Sequence, residues 1–135
     1  MYSNVKKVKI EAFADSRGCL IALEKGSSIP FDPKRVYCIY NVPKDHKRGS
    51  HAHIKLSQLL VATSGTVTIK CLYNHREEEY ILNTPDEGLL IEGLVWREMY
   101  NFSSDAVLMV LASEYYDEGD YIRCYEDFIR FHSEL

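Results

Sequence analysis

An all-β sandwich or barrel, closed by a short C-terminal helix, is the fold the sequence predicts. Short alternating or apolar segments rich in Val, Ile, Tyr, Thr and Leu follow one another along the chain, the composition and length of strands rather than helices. Turn residues punctuate them, and no helical period appears until the last part of the sequence, which excludes a strand–helix alternation.

The first strand is expected over residues 5–13, followed by the turn Asp15-Ser16-Arg17-Gly18 and a strand over 19–24. Pro30-Phe31-Asp32-Pro33 breaks the chain before a strand at 36–41, and Pro43-Lys44-Asp45 breaks it again. Strands are then expected at 59–63 and 67–73 around Ser64-Gly65, and at 79–82 and 88–91 around Thr84-Pro85-Asp86-Glu87. The last strands fall at 97–102 and 106–112, separated by Ser103-Ser104-Asp105. From Asp117 onward Tyr121, Tyr125, Phe128 and Ile129 recur at spacings of three and four, a helical stripe able to dock on the barrel.

With 135 residues the chain is expected to form a single domain over 1–135. A hydrophobic share of 46% with 27% charged residues is ordinary globular composition. The net charge of −4 leaves no basic footprint for nucleic acid, although a local cationic cluster could still hold an anion. Cys19, Cys38, Cys71 and Cys124 form no CxxC pair and read as reduced, buried thiols. The N-terminal MYSNVKKVKI lacks an apolar leader segment and no run reaches the length of a membrane span. A cytoplasmic location is expected.

Chemistry concentrates between Arg48 and Gln58. Alternation puts His51, His53 and Lys55 on one face of a strand, and Gly49 permits close backbone approach just before them. Two imidazoles converging on one point are a common first half of a metal site. Gly49, His51-x-His53, four residues, Gln58, six residues and Gly65 together resemble the first cupin motif. Gly88 through Trp96-Arg97 to Asn101 resembles the second. In metal-binding cupins the positions of Gln58 and Arg97 are Glu and His. A neutral amide and a permanent cation stand there instead, and arginine cannot ligate a metal. No metal and no cofactor are expected, which frees both histidines for proton transfer or substrate contact.

The resemblance extends along nearly the whole chain. Asp15-Ser16-Arg17-Gly18, Lys34-Arg35-Val36-Tyr37, Arg48-Gly49-x-His51-Ala52-His53, Val95-Trp96-x-Glu98-Met99 and the run from Val110 to Arg123 resemble the WxcM-like sugar 3,4-ketoisomerases. That resemblance implies a cupin double-stranded β-helix, or jelly-roll barrel. It also implies a homodimer, with exchanged N-terminal strands, serving deoxysugar synthesis for lipopolysaccharide or S-layer glycans. The implied reaction converts dTDP-4-keto-6-deoxyglucose to the 3-keto isomer. Matched to the family, His51 is the candidate base, His53 its companion and Tyr37 a donor to the oxyanion.

Arg35, Arg48 and Lys55 are candidates for the diphosphate, and Trp96 for the pocket wall. Gln58, Arg97, Asn101 and Arg17 complete the expected substrate contacts. Arg97 favours the gluco product, because a proton-donating His is missing from one face of the ring, whereas Arg17 matches the galacto-forming branch. A 3,5-epimerase-like cupin and a non-catalytic nucleotide-sugar-binding cupin are the alternatives.

Overall fold

A computed structural model of the chain describes residues 3–133. Strands β1 (Asn4–Lys9), β2 (Ala12–Asp15), β3 (Gly18–Ile21), β4 (Arg35–Tyr40), β5 (Arg48–His53) and β6 (Gln58–Ser64) form the first half. The second half holds β7 (Val67–Tyr73), β8 (Arg76–Leu82), β9 (Glu87–Glu92), β10 (Trp96–Tyr100), β11 (Val107–Ala112), β12 (Tyr121–Ile122) and the helix α1 (Tyr125–Ser133). They build one antiparallel sheet in the order β1-β9-β6-β11-β4 and a second in the order β12-β5-β10-β7-β8, with β2-β3 as a separate hairpin. The two sheets face one another as the double-stranded β-helix of a cupin.

Side-chain alternation builds the core between the sheets. Leu60, Ala62, Leu89, Ile91, Leu108 and Val110 of the first sheet meet Val67, Ile69, Cys71 and Met99 of the second. β6 is buried on both faces, because Leu59 and Val61 lie under a strap carrying Ile10 and Ile29. That double burial is why its sequence reads as a continuous apolar run rather than an alternation. A third cluster forms where α1 lays Phe128 on Trp96.

Four expectations need correction. The single strand expected over 5–13 is broken after Lys9: Ile10 turns into the core, and 12–15 pair with 18–21 instead. Lys55 is not part of the histidine strand, because β5 ends at His53 and the chain bends there, although Lys55 still borders a cavity with His53. Tyr121 is not helical; it pairs with His53 in β12, and α1 begins only at Tyr125. Of the cysteines only Cys71 is buried, while Cys19, Cys38 and Cys124 are exposed. A hydrophobic neighbourhood in sequence placed those three on outward faces of strands or in a loop.

Candidate active site

β5 carries the histidines into the barrel because it lies against β10 with a bulge. Arg97 pairs with His51 and Glu98 with Gly49, so Ser50 is the extra residue. Gly49 has φ +83, and a Cβ there would lie 3.2 Å from the Arg97 carbonyl oxygen. The glycine therefore serves a close approach to the neighbouring strand, and it also borders the cavity that opens over His51. Its carbonyl, turned by that conformation, lies 3.0 Å from His51 Nδ1. A carbonyl only accepts, so Nδ1 carries the proton and Nε2 holds the lone pair.

The two imidazoles meet edge to face, 4.7 Å between centroids, with the Tyr121 ring 4.3 Å from His53. Burial and the Arg97 charge hold both neutral: His51 is lowered to about 4, and His53 is pushed further down. His53 is 1% exposed, and neither ring nitrogen has a hydrogen-bond partner. Its Nδ1 lies 3.4 Å from Asp120 Oδ2, but an imidazole held neutral forms no ion pair. The Asp120 carboxylate instead accepts the backbone N–H groups of Lys55 and Leu56, at 2.7 and 3.3 Å, fixing the bend after β5.

A cavity of about 330 Å³ opens over His51, bordered by Tyr37, Arg35, Arg48, Arg123 and Tyr121. A second, of about 270 Å³, reaches His53 and is bordered by Arg35, Lys55 and Asp120. Arg35 borders both, stacks on Tyr37 and Tyr116 at 5.1 and 5.6 Å, and has a buried Nε with no partner. A cation in that state is prepared for an anion. Burial raises the Tyr37 phenol above its ordinary value, which keeps it protonated.

Of the residues singled out from sequence, His51, His53, Tyr37, Arg35, Arg48 and Lys55 border these cavities. Gln58 and Arg97, 1% and 0% exposed, sit behind them in the core. Trp96 is buried under α1, its Nε1–H donating to Glu98. Asn101 borders a separate cavity with Lys47 and Lys70. Arg17 lies on the β2-β3 hairpin, paired with Asp15 at 2.6 Å. Sequence reasoning missed Arg123, whose guanidinium covers Tyr121 at 4.3 Å and pairs with Glu118, and Asp120. Asp120 and Arg123 both belong to the run from Tyr116 to Arg123, whose dense charge between aromatics was the available signal.

Comparison with known proteins places this geometry in a family. The profile described as FdtA: WxcM-like, C-terminal matches residues 3–133. A TDP-4-oxo-6-deoxy-α-D-glucose-3,4-oxoisomerase from Aneurinibacillus thermoaerophilus is 43% identical, across 96% of this chain and 94% of its own length. The H51N mutant of the 3,4-ketoisomerase QdtA from Thermoanaerobacterium thermosaccharolyticum, solved with TDP-4-keto-6-deoxyglucose, superposes with a TM-score of 0.95 at 46% identity. That match covers 99% of this chain and 97% of QdtA. The WlaRB TDP-quinovose 3,4-ketoisomerase from Campylobacter jejuni gives 0.90 at 46% identity, over 94% and 98% of the two chains. The chain belongs to the FdtA, WxcM-like C-terminal family and is a sugar 3,4-ketoisomerase.

Proposed function

We propose that the enzyme converts dTDP-4-keto-6-deoxyglucose to dTDP-3-keto-6-deoxyglucose, with His51 as the base. The observation carrying this reading is a neutral His51 whose Nδ1–H is tied to Gly49, leaving Nε2 as the basic atom in the cavity that also holds Tyr37. The C4 ketone acidifies the proton on C3, which His51 removes. Tyr37 donates to O4 as the enediolate forms. A proton from solvent is delivered to C4 on the ring face opposite His51, because H3 and H4 lie on opposite faces in the gluco isomer. His51 passes the C3 proton to solvent, and the O3 hydroxyl loses its proton as C3 becomes the ketone. One C–H bond breaks and one forms, and the hydroxyl proton moves from O3 to O4, so no external electron acceptor takes part.

Arg35, Arg48, Lys55 and Arg123 supply positive charge for the diphosphate around the two cavities. His53, with both nitrogens unpartnered, would find its hydrogen-bond partner in a sugar hydroxyl. No metal takes part, because the buried Arg97 guanidinium stands directly across from His51 in the strand register and would repel a cation bound by the two imidazoles. Arg97 also supports the gluco product, since a permanent cation cannot deliver the C4 proton from its side. Arg17 on its hairpin would reach a sugar only through a second subunit, which suits a homodimer with exchanged N-terminal segments.

Incubation with dTDP-4-keto-6-deoxyglucose in the presence of EDTA, followed by NMR of the product, tests the reading. The expected outcome is undiminished formation of the 3-keto gluco isomer. Loss of turnover on chelation with recovery on adding one metal, or binding with no proton exchange at C3, would refute it.

A further inference from the structure

Arg97 and Gln58 are buried away from both cavities, yet they form a chain that ends in one of them. Arg97 is fixed by its Nε and Nη2, which donate to the Val95 carbonyl at 3.3 and 3.2 Å. Its Nη1 donates to Gln58 Oε1. Gln58 Nε2 in turn donates to Tyr37 Oη at 2.9 Å. Each link of this chain has one sense. Arginine has donors and no acceptor, so the amide oxygen must face it and the amide NH₂ must face Tyr37. The phenol oxygen is thereby an acceptor on the core side. Its own proton has to take the other in-plane direction, away from Gln58 and toward the cavity shared with His51.

We propose that Arg97 and Gln58 are positioning residues that lock Tyr37 as a hydrogen-bond donor toward the substrate oxygen on which negative charge develops. The proposal rests on the ketoisomerase reading for its catalytic consequence, but the orientation itself belongs to the free protein. It gives physical content to the two departures from the metal-binding pattern. A glutamate at position 58 would accept from both neighbours, drawing the Tyr37 proton inward and turning the phenol oxygen's lone pair to the substrate. An enediolate would then face an acceptor instead of a donor. The amide reverses that polarity, and the arginine prevents the amide from flipping. Burial, which raises the Tyr37 phenol, keeps the proton in place for donation.

The test is Gln58→Glu, which preserves shape and leaves Arg97 with a carboxylate partner. The expected result is a kcat loss of roughly 10–100-fold with KM moved less than about threefold. In the Tyr37→Phe background the same change should cost nothing further, because the group it acts through is gone. Independently of turnover, ¹³Cζ-tyrosine NMR, with the Tyr37 signal assigned by its absence in Tyr37→Phe, should show the phenol titrating at higher pH in Gln58→Glu. Arg97→Lys keeps an obligate donor and should lose less activity than Arg97→Gln, which frees the amide to flip; this pair decides the matter should Gln58→Glu not fold. Full kcat in Gln58→Glu, a loss additive with Tyr37→Phe, an unmoved Tyr37 titration, or equal losses for the two Arg97 variants would each overturn the proposal. A wild-type protein inactive on the 4-keto sugar would sink the ketoisomerase reading instead, while the NMR result would still judge the relay.

Discussion

At the scale of single residues, the site works by holding titratable groups in forms they would not adopt in water. His51 is lowered from about 6.5 to about 4 by burial and then by the Arg97 charge. Only the neutral imidazole accepts a proton, so the acid limb of kcat/KM should fall as pH drops through about 4, not near 6.5. Between those two values the unfolded chain binds a proton at this histidine and the folded one does not. Stability should therefore decline as pH is lowered across that window, by on the order of 2 kcal/mol for a half-buried group. A pH–rate profile with an acid limb at 6.5 would show that burial and the Arg97 charge do not lower the base. Replacing His51 by Asn should leave nucleotide-sugar binding nearly intact and lower turnover by about 10²–10⁴, with solvent deuterium exchange at C3 abolished. His53→Asn should lose less; normal exchange in His51→Asn alongside none in His53→Asn would move the base to His53.

At the scale of elements, strand β5 shows how much of the site the sequence disclosed. The His-x-His alternation is enough to put both rings on one inward face, and β5 does so. The bulge at Ser50 and the positive φ of Gly49 are not encoded in alternation; they follow from pairing with β10, a contact between positions far apart in sequence. Lys55 falls outside the strand for the same reason, since Asp120 from beyond β11 holds the bend after His53, although Lys55 still borders the cavity at His53. The helical stripe was legible for Phe128 but not for Tyr121, which β5 recruits into a strand. Gln58 and Arg97 were readable as lost metal ligands, whereas their hydrogen-bond direction needed Tyr37 to be brought alongside. Gly49→Ala tests the bulge. A Cβ at φ +83 and 3.2 Å from the Arg97 carbonyl should cost about 1–2 kcal/mol. Because it displaces the carbonyl that holds His51 Nδ1, turnover should fall while thermal stability drops only modestly. A variant with wild-type turnover would show that Gly49 does not set the tautomer.

At the scale of the whole molecule, one part does not close on itself. The β2-β3 hairpin stands as a sheet of its own, with Phe13 57% and Leu20 58% exposed. Two isolated strands are marginal in water without an apolar face to pack on. The first sheet ends in β4, whose outward Val36, Cys38 and Tyr40 are also exposed. A strand edge and an apolar hairpin left open on the same chain are what a second copy would cover. β1 already pairs with β9 inside the chain, so in this reading the hairpin, more than the first strand, is the segment that crosses between subunits, carrying Arg17 with it. Light scattering should report a dimer for the native protein. Phe13→Glu combined with Leu20→Glu should convert it to monomer, because a charge in a buried seat between subunits is strongly disfavoured. In a chain that acts alone the same two side chains are in solvent, and their replacement should shift stability by less than about 0.5 kcal/mol each. A double variant that remains dimeric and fully active would place the interface elsewhere, and a native protein that is monomeric at micromolar concentration would leave the hairpin without a partner.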